Sequence, residues 1–199
     1  MKRGIVISGV GGQGVLTLSR VLGEALLRKG YDVRVGEVHG LSQRGGSVVV
    51  FLRYGDRVYA PTVAPGEGDM LIALEMIEAA RRLPYLRPGG LVLANRLVLP
   101  PPMSGEPPGI EELEEAISGA GVRLIVVDGS AVAEEAGSPL ALNMAMLGAA
   151  IATRELDLTL EEAEEALATL FRGGLLEVNR RALRGGYKAA EELVEKCEG

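Results

Sequence analysis

Apolar and polar positions along the chain follow two periods in alternation. Residues 4–8 form a short apolar run closed by glycines, as in a strand buried on both faces of a parallel sheet. Over residues 15–29 the apolar side chains return at helical spacing (Val15, Leu18, Val21, Leu22, Ala25, Leu26), and Gly30 is a natural stop. Residues 32–38 read as a second strand. Strand, helix and strand within about 35 residues make a βαβ unit, right-handed by the usual chirality rule. Residues 47–53 and 57–60 flank "YGD", which predicts an antiparallel hairpin turned at Gly55 and Asp56.

Further buried strands are predicted over 69–74, 90–95 and 122–127, with helices over 75–83 and 110–118. Five prolines within residues 100–109 mark a surface connection, because proline can sit in neither a helix interior nor a central strand. The last third is helical: residues 140–154 behind a Ser138-Pro139 cap, residues 160–170, and residues 175–195 with a break at Gly185 and Gly186. The predicted fold class is α/β, a mostly parallel, Rossmann-like sheet with an antiparallel hairpin and a C-terminal helical layer. One domain is expected over residues 1–199, with an α/β core in 1–137 and helices in 138–199.

Composition narrows what this fold can do. The chain has 199 residues, 47% hydrophobic and 24% charged, and a net charge of −6, which argues against binding nucleic acid through a basic face. The single cysteine, Cys197, excludes an intrachain disulfide and a self-contained iron–sulfur cluster, which needs about four thiolates. One histidine argues against an ordinary zinc site, and no metal site is expected. No leader is predicted, and no apolar run reaches the ~18–20 residues of a membrane span, so a cytoplasmic protein is expected.

Two stretches carry candidate chemistry. "GVGGQG" places Gly9, Gly11 and Gly14 in a G-x-G-x-x-G pattern, with Gly12 and Gln13 between them, after a strand and at the start of a helix. Free N–H groups at such a helix start suit an anion. A nicotinamide or flavin dinucleotide would also need an acidic residue near the end of the second strand, where Glu37 stands. A phosphate or carboxylate of another ligand, a contact with a partner chain, and simple strand–helix packing remain open alternatives.

The second stretch, "EVHGLSQRGGSVVV", leaves the second strand at the same sheet edge, so the two loops are expected to share one site. His39, Ser42, Gln43, Arg44, Gly45 and Gly46 are its candidate binding residues. Arg44 suits a phosphate or carboxylate, and the glycines can expose backbone N–H groups. No nucleophile–base–orienter set can be assembled from one histidine, and no catalytic residue is expected on this chain.

These residues resemble a known family. "GVGGQGVLTLSRVLGEAL", "GEVHGLSQRGGSVVVFLRYG", "DMLIALEMIEAARRLPYLRPGGLVLAN" and "LNMAMLGAA" are similar to the gamma subunits or domains of the 2-oxoacid:ferredoxin oxidoreductases. Within them they most resemble the beta-subunit branch of the indolepyruvate ferredoxin oxidoreductases, over residues 4–195. The resemblance implies a large alpha-type partner subunit that holds thiamine diphosphate, Mg2+ and iron–sulfur clusters. It implies oxidative decarboxylation of an arylpyruvate with coenzyme A, giving an aryl-acetyl-CoA, carbon dioxide and reduced ferredoxin. This chain would then bind no cofactor alone and would contribute subunit contacts and part of a coenzyme A or 2-oxoacid surface. A pyruvate- or 2-oxoglutarate-type enzyme, and a stand-alone nicotinamide- or flavin-binding protein, are the alternatives.

Overall fold

The computed structural model describes residues 2–39, 45–100 and 105–198. Six strands, β1 (Lys2–Val10), β2 (Asp32–His39), β3 (Ser47–Gly55), β4 (Gly68–Ala73), β5 (Leu86–Asn95) and β6 (Arg123–Val127), form one sheet in the order β2-β3-β1-β4-β5-β6. Five strands share one direction. The exception is β3, which pairs antiparallel with both β1 and β2, while β1–β4, β4–β5 and β5–β6 are parallel.

Helices cover both faces. On one face α1 (Val15–Arg28), α5 (Leu142–Ala152), α6 (Leu160–Leu170) and α7 (Gly173–Glu198) enclose the larger core with Ile5, Ile7, Val50, Leu52, Ile72 and Leu93. On the other, α2 (Met76–Arg82) and α3 (Ile110–Ser118) pack on Val6, Phe51, Leu71 and Val92. Alternate residues of each strand therefore feed alternate cores, which is why β1 and β4 read as unbroken apolar runs. All eleven residues of α5 are buried.

The sheet corrects two expectations. No hairpin turns at Gly55 and Asp56: β3 continues to Gly55, and residues 57–60 form no strand. The hairpin lies one connection earlier, through residues 40–46, and pairs β2 with β3 from Asp32↔Gly55 to His39↔Val48. After β3 the chain crosses β2 instead of pairing with it. Val58 N–H donates to Asp32 Oδ2 at 2.9 Å, and a Cβ on Gly36 would lie 3.0 Å from the Pro61 ring. The first strand, helix and second strand are consequently not neighbours, because α1 carries the chain past β3.

The helical part differs from expectation in detail. A short helix, α4 (Gly129–Glu135), was not foreseen, and a 3-10 turn at Pro139–Ala141 precedes α5. The expected break at Gly185 and Gly186 is absent, since α7 runs through both.

One cluster fastens α6 to the far end of α1. Tyr31 Oη donates to Asp157 Oδ2, Lys29 Nζ lies 3.2 Å from both Asp157 and Glu162, and Tyr31 meets Tyr54 edge-on at 5.3 Å between centroids. The Tyr31 hydrogen bond holds the Asp157 carboxyl below its ordinary range; partial desolvation opposes this, and Lys29 reinforces it. A folded-state pKa below the unfolded one gives stability that is present above the unfolded value and lost as pH falls through the folded one. The Asp157 side chain is 45% exposed, so solvent screening reduces its contribution to about 1 kcal/mol at most. Asp157→Asn should lower Tm by about 2–4 °C at pH 7. That gap should close below about pH 4, which thermal melts across pH 3–7 would check.

Candidate functional site

Five strands end at one sheet edge, and β3 begins there. The connection from β1 runs through α1 toward one side of the sheet, and that from β4 through α2 toward the other. The crevice outside β1 and β4 is thus a topological switch point, where open α/β sheets place ligands. The glycine-rich turn occupies this position. Gln13 N–H closes it on Val10 O at 3.1 Å, and Gly14 O accepts the first helical bond from Leu18 N–H at 3.0 Å.

Each glycine in the turn has its own reason. A Cβ on Gly9 would lie 2.8 Å from Gln13 Oε1 and 2.9 Å from Val15 Cγ2, so strand and helix require hydrogen there. Gly12 and Gly14 take left-handed φ values of 106° and 82°. A Cβ on Gly14 would press into Asn143, 2.9 Å from its Cγ, whereas Gly12 meets only open space. Gly11 binds the second loop through its backbone: its N–H donates to Gly46 O at 2.8 Å and its carbonyl accepts from Gly45 N–H at 3.4 Å.

The two loops singled out in the sequence are therefore joined backbone to backbone. His39 ends β2 opposite Val48, and Gly45 (φ 72°) and Gly46 lead into β3. Ser42, Gln43 and Arg44 lie outside the described residues. The base of the loop is pinned by a partly buried network that the sequence reading missed. Ser47 Oγ bonds Glu78 Oε2 at 2.5 Å, Arg82 Nη2 donates to Ser47 Oγ at 2.5 Å, and Ser8 Oγ donates to Glu78 O at 3.4 Å. Glu78 is 4% exposed and Arg81 also pairs with it, so this carboxylate is neutralised where it is buried.

Asn143 was the other omission. It is a lone polar residue in the otherwise apolar α5, which is the signal that could have flagged it. Its Nδ2 donates to Gly14 O at 3.2 Å, and its Oδ1 accepts Met144 N–H at 2.9 Å.

Helix α1 starts without a side-chain cap and without an acidic residue in its first turn, so the positive end of its dipole is not offset by a side chain of that turn. A cavity of about 490 Å³ opens there, lined by Gly11, Gly12, Leu16, Thr17 and Val48. A second hollow of about 240 Å³ shares Gly12, Gly14 and Thr17 and extends toward Leu140, Phe171 and Leu175. Among the described residues, no three His, Cys, Asp or Glu side chains gather to hold a metal, and no helix is long and apolar enough to cross a membrane.

The arrangement argues against a dinucleotide. A ribose-holding carboxylate must stand on the strand next to β1, but β3 takes that place. Glu37 on β2 is therefore displaced by one further strand spacing, to about 10 Å from β1.

Comparison with known proteins gives consistent matches. Residues 4–189 match the pyruvate ferredoxin/flavodoxin oxidoreductase family. The chain is 39% identical to indolepyruvate oxidoreductase subunit IorB of Thermococcus kodakarensis, covering 96% of each. It is 30% identical to the common gamma subunit of the pyruvate/ketoisovalerate oxidoreductases of Pyrococcus furiosus, covering 92% of this chain and 94% of that one. In fold it is similar to 2-oxoglutarate:ferredoxin oxidoreductase of Magnetococcus marinus, solved with 2-oxoglutarate, coenzyme A and succinyl-CoA bound. The TM-score is 0.75 at 21% identity, over 96% of this chain and 31% of that one.

Proposed function

The chain belongs to the pyruvate ferredoxin/flavodoxin oxidoreductase family, and we propose from that premise that it is the small subunit of an indolepyruvate oxidoreductase. The observation that carries the reading is near full-length identity of 39% to an indolepyruvate subunit, against 30% to a subunit shared by pyruvate and ketoisovalerate enzymes. The overall reaction takes an arylpyruvate and coenzyme A to an aryl-acetyl-CoA and carbon dioxide, and passes the released electron pair to ferredoxin.

One cysteine does not suffice for an iron–sulfur cluster. Such a cluster needs about four thiolates. The clusters are accordingly assigned to a large partner subunit, and the family resemblance assigns thiamine diphosphate and Mg2+ to it as well.

What remains for this chain is a contact surface. The glycine-rich turn places the uncapped start of α1 beside a cavity of about 490 Å³. An anionic group of coenzyme A, or a carboxylate of the partner, suits that edge. His39, Ser42, Gln43 and Arg44 belong to the same loop and complete the proposed surface. A solved enzyme that contains a domain of this fold holds coenzyme A, which supports coenzyme A as a ligand of the assembled enzyme.

Co-expression tests it. An affinity-tagged chain should retain a large subunit with bound iron and thiamine diphosphate, at a fixed ratio through gel filtration, and should be colourless when expressed alone. A chain that purifies by itself and oxidises 2-oxoacids unaided would overturn the reading.

A further inference from the structure

In a parallel ladder the hydrogen bonds recur at every second residue. Between β1 and β4 the ladder runs regularly to Ser8↔Ala73, where Leu74 N–H donates to Ser8 O at 2.8 Å. The next rung would be Val10 N–H to Leu74 O. It does not form. Val10 N–H instead donates to Gln13 Oε1 at 2.7 Å, and Gln13 Nε2 donates to Leu74 O at 3.0 Å. The side-chain amide bridges the two strand ends in the place of their last rung.

The Leu74 carbonyl is a shared anchor. Asn95 Nδ2, fully buried at the end of β5, also donates to it at 3.2 Å. On its other side the turn is held by Asn143 at the Gly14 carbonyl. The left-handed glycines at 12 and 14 supply no stiffness of their own, so these side-chain amides support the turn together with the backbone bonds of Gly11 and Gln13.

We infer that Gln13 is a positioning residue: its amide splays β1 and β4 at the switch point and so holds the glycine-rich turn open toward its ligand. Its side chain serves the ligand surface indirectly, through the backbone of residues 11–14. This rests on the reading of that turn as a coenzyme A contact. Without the amide, the Val10–Leu74 rung closes and the turn is drawn over the crevice.

The test uses the assembled enzyme, with the free chain as structural reference. In Gln13→Ala the KM for coenzyme A should rise about tenfold, the effect of two hydrogen bonds lost and one regained. The kcat and the KM for phenylpyruvate should stay within about twofold. Gln13→Glu keeps the acceptor for Val10 but sets a carboxylate against the Leu74 carbonyl, and should move the same constant in the same direction. Hydrogen exchange on the free chain should show the amides of residues 11–14 exchanging about tenfold faster in both variants. Unchanged exchange would overturn the splaying role. Faster exchange with an unchanged KM in an active complex would overturn the positioning role. A wild-type complex without turnover would be a failure of the functional reading, and exchange then decides the role of Gln13 by itself.

Discussion

Replacing Gly148 or Gly186 by alanine is expected to destabilise the chain by about 3 kcal/mol or more, lowering Tm by about 6–12 °C. These glycines lie where α5 and α7 cross. A Cβ on Gly148 would stand 2.8 Å from the Leu183 carbonyl carbon and 2.9 Å from Tyr187 N, and one on Gly186 would stand 2.6 Å from the Ala145 carbonyl carbon. The obstructing atoms are backbone, so no rotamer change relieves the overlap and one helix must move. α5 is buried along its whole length and cannot shift without disturbing the core over the sheet.

Helix propensity works the other way and provides the control. Alanine exceeds glycine by about 0.8–1.0 kcal/mol in a helix interior. A Cβ on Gly174, also in α7, meets nothing within 4 Å. Gly174→Ala should therefore leave Tm unchanged or raise it slightly. Thermal melts of the three variants would check both signs.

Those glycines also show where a sequence stops being informative. Gly185 and Gly186 carry the local signature of a helix break, and α7 nonetheless passes straight through them. The local rule penalises glycine within one helix, but the deciding contact belongs to a second helix some forty residues earlier. The misplaced hairpin has a similar origin. "YGD" is a good turn, yet β2 already had its partner in β3, and register across a sheet is set by pairing that no short window contains.

Elements governed by local signals were legible. Both α3 (Ile110–Ser118) and α6 (Leu160–Leu170) fall where their periodicity puts them, and Thr159 with Glu162 closes a capping box at the start of α6. The candidate site was legible in part. The shared edge of the two loops followed from the rule that strand ends line the crevice, and the Gly11–Gly46 bond realises it. The inward direction of the Gln13 amide, and the support from Asn143, Ser47 and Glu78, depend on contacts up to 129 residues apart in sequence. Spacing alone does not encode such contacts.

The second large effect concerns turnover itself. A single cysteine is too few for an iron–sulfur cluster, which needs about four thiolates, so ferredoxin-linked turnover is expected to require the large subunit. The free chain is expected to reduce no viologen dye with any 2-oxoacid. With its large subunit, turnover should enter the ordinary enzymatic range of roughly 1–1,000 per second. Discrimination among 2-oxoacids by the complex then tests the assignment to the indolepyruvate branch.

The most direct measurement is coenzyme A-dependent dye reduction by the purified complex with indolepyruvate, pyruvate and 2-oxoglutarate in parallel, and with the free chain as blank. The kcat/KM for indolepyruvate is expected to lie at least about tenfold above the other two, with no rate in the blank. A complex that prefers pyruvate or 2-oxoglutarate, or a free chain that turns over as fast as the complex, would contradict this expectation.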